Sequence, residues 1–194
     1  MTLKEHVYSV LIVSASKSFN DSVLSLLPDA TYKPVSYAHS INEAQREVSE
    51  RFYDILIINT PLPDDFGAKF AIDVSNDKPS VVLLFVRSDN YIETYDKVCD
   101  FGVFTIRKPL PPQNVLQTLD FVKATRERLR KMEKKSVSLQ EKMAEIKIVN
   151  RAKWTLINTL KMSEDDAHRY IEKQAMDRCV NKRDIAEEIL RTYK

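Results

Sequence analysis

The chain has 194 residues, of which 43% are apolar and 30% charged, a balance typical of a globular protein rather than a disordered one. No stretch approaches the roughly 20 consecutive apolar residues of a transmembrane helix, and the N-terminus lacks a secretory signal pattern. We therefore expect a cytoplasmic protein with no membrane partner. Two distant cysteines and three scattered histidines predict neither disulfides nor a metal site. Only Gly67 and Gly102 are present, which excludes glycine-rich phosphate-binding loops, and we expect no cofactor.

The small net charge of +2 conceals two halves of opposite sign. Residues 1–119 hold 11 Lys/Arg and 15 Asp/Glu, a net charge of −4, whereas residues 120–194 hold 19 and 13, a net charge of +6. The basic second half indicates a polyanionic partner. A long solvated helix rich in both signs would give the same totals, so charge alone leaves both interpretations open.

The first 110 residues alternate between short apolar runs and segments with helical spacing. Runs of Val, Ile and Leu without polar interruption are typical of parallel strands buried on both faces. Alternation with helices predicts a doubly wound α/β domain with a five-stranded parallel sheet over residues 1–122. The predicted strands are Val7–Val13, Pro34–Ala38, Asp54–Ile58, Val81–Val86 and Val103–Ile106, and the predicted helices are Ser18–Leu27, Ile41–Phe52, Phe66–Val74 and Tyr91–Phe101.

A long helix is predicted after Pro111-Pro112, because neither Gly nor Pro occurs again before Leu160. Its apolar residues recur at alternating spacings of three and four, the heptad pattern of a coiled coil. We expect residues 123–148 to form a coiled-coil linker that joins two copies in a parallel homodimer; a helix folded back on its own chain is the alternative. The seam consists of Val122, Leu129, Met132, Leu139, Met143 and Ile146, with Thr125 and Ser136 at its polar positions.

Two further helix starts follow, at Ser163, with Asp166 three residues later, and at Asn181. With the end of the long helix, they predict an all-α three-helix bundle over residues 149–194.

The N-terminal half resembles the receiver domain of bacterial response regulators. The resemblance is carried by Leu11-Ile12-Val13, by Leu62-Pro63 followed by Gly67, and by Gly102 and Lys108-Pro109. It implies a phosphoacceptor aspartate after the third strand, an acidic pair that holds Mg²⁺ after the first, a Ser/Thr and a Lys.

Most of those implied residues are replaced in this chain. Ser14 and Ala15 stand in place of the acidic pair, Asn59 in place of the acceptor, and Val86 or Arg87 in place of the hydroxyl residue, so that Lys108 alone remains. An amide cannot form an acyl phosphate, and a pocket without carboxylates holds Mg²⁺ poorly. We predict a degenerate receiver in which Lys108 pairs with Asn59 or a strand-end carbonyl. Asp64 and Asp65 are interpreted as helix N-terminal charges.

The C-terminal segment resembles the ANTAR domain, an RNA-binding module of antitermination regulators. The resemblance is carried by Arg151-Ala152-Lys153, by residues 162–177 and by residues 182–189. It implies binding of stem-loops in nascent transcripts. Family members often have a basic residue where Glu172 stands.

Seven basic residues are the candidate RNA contacts, expected on one outer face near the start of the second bundle helix, whose free amides also attract phosphate. Tyr170, His168 and Trp154 could stack on bases, although Trp154 and Tyr170 at helical spacing are more often core residues. The candidates are Arg151, Lys153, His168, Arg169, Lys173, Lys182 and Arg183.

These patterns predict a dimeric RNA-binding transcription antitermination regulator that is not an enzyme, since no nucleophile–base pair or metal constellation is present. A sensor or sequestering protein is a further candidate partner. The alternatives are a DNA-binding regulator with a helix-turn-helix and a dimeric signalling adaptor without a nucleic-acid role.

Overall fold

A computed structural model describes residues 6–109 and 111–193 of the chain. The chain divides into two compact units, Met1–Arg130 and Lys131–Lys194. Within the described residues, no helix has both the length and the apolarity that crossing a membrane requires.

The first unit contains the predicted five-stranded parallel sheet, with strand order β2-β1-β3-β4-β5. Its element bounds agree with the sequence prediction to within a few residues. The strands are β1 (Tyr8–Val13), β2 (Tyr32–Ala38), β3 (Ile55–Asn59), β4 (Val81–Arg87) and β5 (Phe104–Lys108), and the first four helices are α1 (Lys17–Leu24), α2 (Ile41–Glu50), α3 (Ala68–Asp77) and α4 (Tyr91–Val98).

Both faces of the sheet are covered, which explains the uninterrupted apolar runs. Neighbouring residues of one strand enter opposite clusters: Leu11 and Ile58 pack with α2 and α3, whereas Ile12 and Ile57 pack with α1 and the start of α5 (Pro112–Leu160). All four side chains are fully buried. Because the strands are parallel, the carboxyl ends of β1, β3 and β5 meet at one edge of the sheet.

The predicted domain boundary at residue 122 is too early. Arg126 on α5 is only 4% exposed, and its Nε donates a 2.7 Å hydrogen bond to Oδ1 of the buried Asp54. The Tyr8 hydroxyl also donates to Glu127, at 3.1 Å. These contacts extend the first unit to Arg130. They were missed because a buried ion pair between distant residues leaves no periodic pattern in the sequence.

The second unit is a three-helix bundle made by the end of α5, α6 (Glu164–Asp177) and α7 (Lys182–Thr192). Both predicted caps are present: the Ser163 hydroxyl accepts from the Asp166 amide at 3.1 Å, and Asn181 forms a capping box with Asp184. Small alanines let the helices approach closely around a compact apolar centre. That centre consists of Ala152, Leu156, Ala167, Ile171, Ala175, Ile185, Ala186 and Ile189.

Candidate functional site

A hydrogen-bonded chain of Lys108, Asn59 and Ser14 lies at the edge of the sheet where the carboxyl ends of β1, β3 and β5 meet. The Lys108 ammonium donates to Asn59 Oδ1 at 2.6 Å and to the Thr60 carbonyl oxygen at 2.5 Å. The Asn59 amide nitrogen then donates to the hydroxyl of the fully buried Ser14 at 3.0 Å. Burial lowers the pKa of Lys108, and the nearby Arg87 lowers it further. The predicted pairing of Lys108 with Asn59 and a strand-end carbonyl is therefore observed.

The other residues of the predicted pocket contribute no acidic group to this edge. Ala15 is exposed, and Val86 is fully buried in the apolar cluster that includes Val13 and Ile58. Among the described residues, no group of three His, Cys, Asp or Glu side chains could hold a metal ion.

The carboxylates of Asp64 and Asp65 accept hydrogen bonds from nearby backbone amides and are not part of the hydrogen-bonded chain at this edge. The Asp64 carboxylate accepts from the amides of Ile41 and Asn42, at 2.9 and 3.0 Å, at the first turn of α2. Hydrogen bonds from these two amides lower the pKa of Asp64. Asp65 accepts from the Gly67 amide in the same way. The interpretation of Asp64 as a helix N-terminal charge is confirmed.

The second unit has a groove that brings together three of the seven candidate RNA contacts. Lys153 on α5, His168 on α6 and Lys182 at the start of α7 all line this groove, whose volume is about 350 Å³. The remaining lining residues come from α5: Lys142, Glu145, Ile146, Val149 and Asn150.

Carboxylates of the same bundle form ion pairs with several of the seven candidate RNA contacts. Lys153 lies 3.1 Å from Glu164, and Arg183 lies 2.9 Å from Glu187. Glu172 accepts from Lys182 at 2.5 Å and lies 3.3 Å from the His168 ring. The Lys182 hydrogen bond, followed by the charge of His168, lowers the pKa of Glu172.

The other four candidates lie outside the groove, and one of them, Arg183, is paired with Glu187. Arg151, Arg169 and Lys173 are exposed and form no ion pair with any residue that the structure describes. Arg169 and Lys173, one turn apart, face away from the side of α6 that buries Ala167 and Ile171. The prediction of one shared face for all seven residues is wrong, because Arg169 and Lys173 are one position out of phase with His168 and Glu172.

Trp154 is 64% exposed and Tyr170 is 37% exposed, so the interpretation of both as core residues is wrong. The core positions of this part of α5 are Ala152 and Leu156, and Trp154 follows Ala152 by two residues, which places it on the opposite side of the helix.

The comparisons with known proteins agree with this division into two units. The family model described as "ANTAR domain" matches residues 138–190. The first unit has the receiver fold: a chemotaxis response regulator of Vibrio cholerae, CheY4, covers 60% of this chain with a TM-score of 0.53 and 26% identity, over 99% of its own length. The chain therefore joins a receiver-like α/β domain to an ANTAR domain, as the resemblances predicted.

Two further relatives extend this result. The transcriptional regulatory protein PdtaR of Mycobacterium tuberculosis is 24% identical over 186 residues, which are 94% of this chain and 89% of that protein. The signal receiver domain of an HD domain-containing protein from Pseudomonas fluorescens covers 68% of this chain with a TM-score of 0.58, over 96% of its own length; at 18% identity it shows the fold alone. Together these findings describe an ANTAR-type regulator.

Sequence reasoning missed the internal ion pairs of the bundle. The pairs of His168 with Glu172 and of Arg183 with Glu187 have the four-residue spacing of helix neighbours, a signal present in the sequence. The pairs of Lys153 with Glu164 and of Lys182 with Glu172 join different helices, and only the folded bundle brings them together.

Proposed function

We propose that this chain is a non-enzymatic regulator that binds RNA stem-loops in nascent transcripts as a homodimer and so prevents a terminator from forming. The observation that carries the proposal is the ANTAR match over residues 138–190, which coincides with a bundle whose surface displays all seven candidate cations. RNA phosphates attract Lys and Arg side chains and release condensed counterions when these bind.

The internal ion pairs are compatible with RNA binding because their carboxylates reach solvent, although the Lys153 side chain itself is only 16% exposed. A solvent-accessible ion pair contributes little, so a phosphate can replace the carboxylate of Glu164 or Glu187 at small cost. Arg151, Arg169 and Lys173 form no ion pair with another described residue, so a phosphate can bind them without displacing a carboxylate. In this mechanism, the unpaired cations make the first contacts and the groove cations follow.

The proposed dimer rests on the exposed part of the heptad seam. Val122 is buried and Leu129 is half-buried against the first unit, so neither is free to meet a second copy. From Met132 to Met143 the apolar seam positions are 52–60% exposed: Met132, Leu139 and Met143. Ile146 and Asn150, the next seam positions, line the groove and are not part of the proposed dimer contact. Two bundles on one dimer would gain avidity for paired stem-loops.

In this proposal the receiver-like domain works without phosphorylation. Asn59 offers an amide where a phosphoacceptor needs a carboxylate, and Lys108 already has Asn59 and Thr60 as partners. Control would come instead from a sensor or sequestering protein. Intact-mass analysis after incubation with acetyl phosphate and Mg²⁺ should show no added phosphate; a stable phosphate mapped to the first unit would contradict this part.

The RNA-binding proposal is tested with a pool of stem-loop RNAs whose loops are randomised. The double variant Lys153→Glu with Lys182→Glu should lose retention of the pool in a mobility-shift assay, because two of the three groove lysines are reversed in charge. The control variant, Lys17→Glu with Lys69→Glu, makes the same charge change at exposed sites of the first unit and should still bind. Equal binding by both variants, each with an unchanged circular dichroism spectrum, would remove the groove from the site.

A further inference from the structure

Trp154 is the one tryptophan of the chain, and its indole lies on the solvent-facing side of α5. An indole buries a large apolar area when it finds a partner, so an indole that is 64% exposed leaves much of that gain unused. The core residues Ala152 and Leu156 lie on the opposite side of the helix.

The surroundings of Trp154 indicate what kind of partner fits it. Lys147 and Arg151 precede Trp154 by seven and three residues, and Asn158 follows it by four. The four residues therefore share one side of the helix, and all are exposed. We call them the Trp154 stripe. No carboxylate occupies this stripe, whereas Lys153, on the neighbouring side, is held by Glu164. The stripe therefore combines an aromatic plane with uncompensated positive charge.

A second copy of the chain is a poorer occupant of this stripe. The seam positions after Met143 are Ile146, Asn150 and Lys153, and all three line the proposed RNA groove. Lys153 is also only 16% exposed and bonded to Glu164 of its own chain. Contact between two copies along the seam therefore ends before the turn that carries Trp154.

We propose that Trp154 is a stacking platform for an unpaired base of the bound RNA, with Arg151 and Lys147 holding the adjacent phosphates; this inference rests on the proposed function. RNA offers a complement to both parts of the stripe, a planar base that stacks on the indole and negative charge that pairs with Arg151 and Lys147. Bases stack on aromatic side chains without strict sequence preference, so Trp154 contributes affinity for unpaired nucleotides rather than for a defined base.

The single tryptophan makes the test direct. Stem-loop RNAs with randomised loops should quench and shift the Trp154 fluorescence on binding, while heparin, a polyanion without bases, should leave it almost unchanged. Trp154→Ala should weaken stem-loop binding roughly 5- to 100-fold, and Trp154→Phe, which keeps a ring, should restore much of it. Val137→Ala, at a similarly exposed position of α5 outside the stripe and the seam, should bind as the original chain does.

Each outcome separates this inference from the function on which it rests. If stem-loops bind in a mobility-shift assay but neither the fluorescence nor the Trp154→Ala affinity changes, the stacking platform is wrong and the RNA-binding function stands. Equal quenching by heparin, or a fluorescence change that follows protein concentration without RNA, also overturns it. If no stem-loop binds the original chain, both proposals fail.

Discussion

The two units hold their functional cations in different ways. Lys108 is partly buried and bonded to an amide and a carbonyl, both neutral groups within its own unit. Lys153 and Lys182 are bonded to exposed carboxylates on the bundle surface. A buried, satisfied cation is costly to free, whereas an exposed ion pair is readily exchanged for another anion. An internal partner therefore holds a cation most firmly where both groups are shielded from solvent.

The largest expected effect is the loss of stability when a buried ion pair is broken, compared with the small loss when an exposed pair is broken. Arg126→Met leaves the Asp54 carboxylate buried without its guanidinium partner and should lower the free energy of unfolding by about 3–5 kcal/mol. Glu164→Gln removes the exposed partner of Lys153 and should cost under about 1 kcal/mol. Urea unfolding followed by circular dichroism measures both. Similar losses for the two variants would break the comparison.

The dimer seam is the next largest effect. Leu139→Lys with Met143→Lys places two charges where apolar contact is proposed, and should remove about 3 kcal/mol or more of burial, which is over 100-fold in dissociation constant. Sedimentation equilibrium should then report a monomer that binds stem-loops more weakly. Val137→Lys, outside the seam, serves as the control. A double variant that stays dimeric, or an original chain that is monomeric at all concentrations, would refute the seam.

A substitution at Glu172 is expected to raise the affinity for RNA. Glu172→Gln frees Lys182 and His168 from a competing carboxylate, so RNA affinity should rise roughly 2- to 5-fold and the salt dependence should steepen. Glu188→Gln is the matched change, since it frees Arg178, which lies outside the candidate set. If both changes raise affinity equally, the effect is one of net charge alone.

The smallest expected effect concerns the cap of α2. The pKa of Asp64 is lowered in the folded chain, so its stabilisation is present above the ordinary carboxyl pKa and is lost as the pH falls through the folded value. The difference in Tm between the original chain and Asp64→Asn should therefore be largest near neutral pH and shrink in acid. A pH-independent Asp64 difference would contradict the capping role.

Local patterns predicted most of the fold. The apolar runs around Leu11 and Ile57 gave buried parallel strands, and Ser163 and Asn181 gave helix starts, because each of these features acts within a few residues. The pairing of Lys108 with Asn59 was also predictable, since parallel strand ends meet at one edge.

Features that join distant residues were not predictable in the same way. The Arg126–Asp54 pair spans 72 residues and moved the domain boundary. Arg169 follows His168 by one residue, about 100° around α6, and only His168 lines the groove. The position of the groove depends on how the three helices pack, which the sequence pattern did not show. Helical spacing favoured a core position for Trp154 over a stacking one, although the core positions Ala152 and Leu156 define the opposite side of the helix.

Competition between two nucleic acids is the sharpest test of the proposal that the ANTAR unit binds folded RNA. Stem-loop RNAs with randomised loops and a duplex DNA of equal length should be titrated against the same chain at several stated salt concentrations. We expect stem-loop RNA to bind more tightly at every salt concentration and its affinity to fall as salt rises. Equal or tighter binding of the DNA duplex, or no binding of RNA at low salt by a folded dimer, would contradict it.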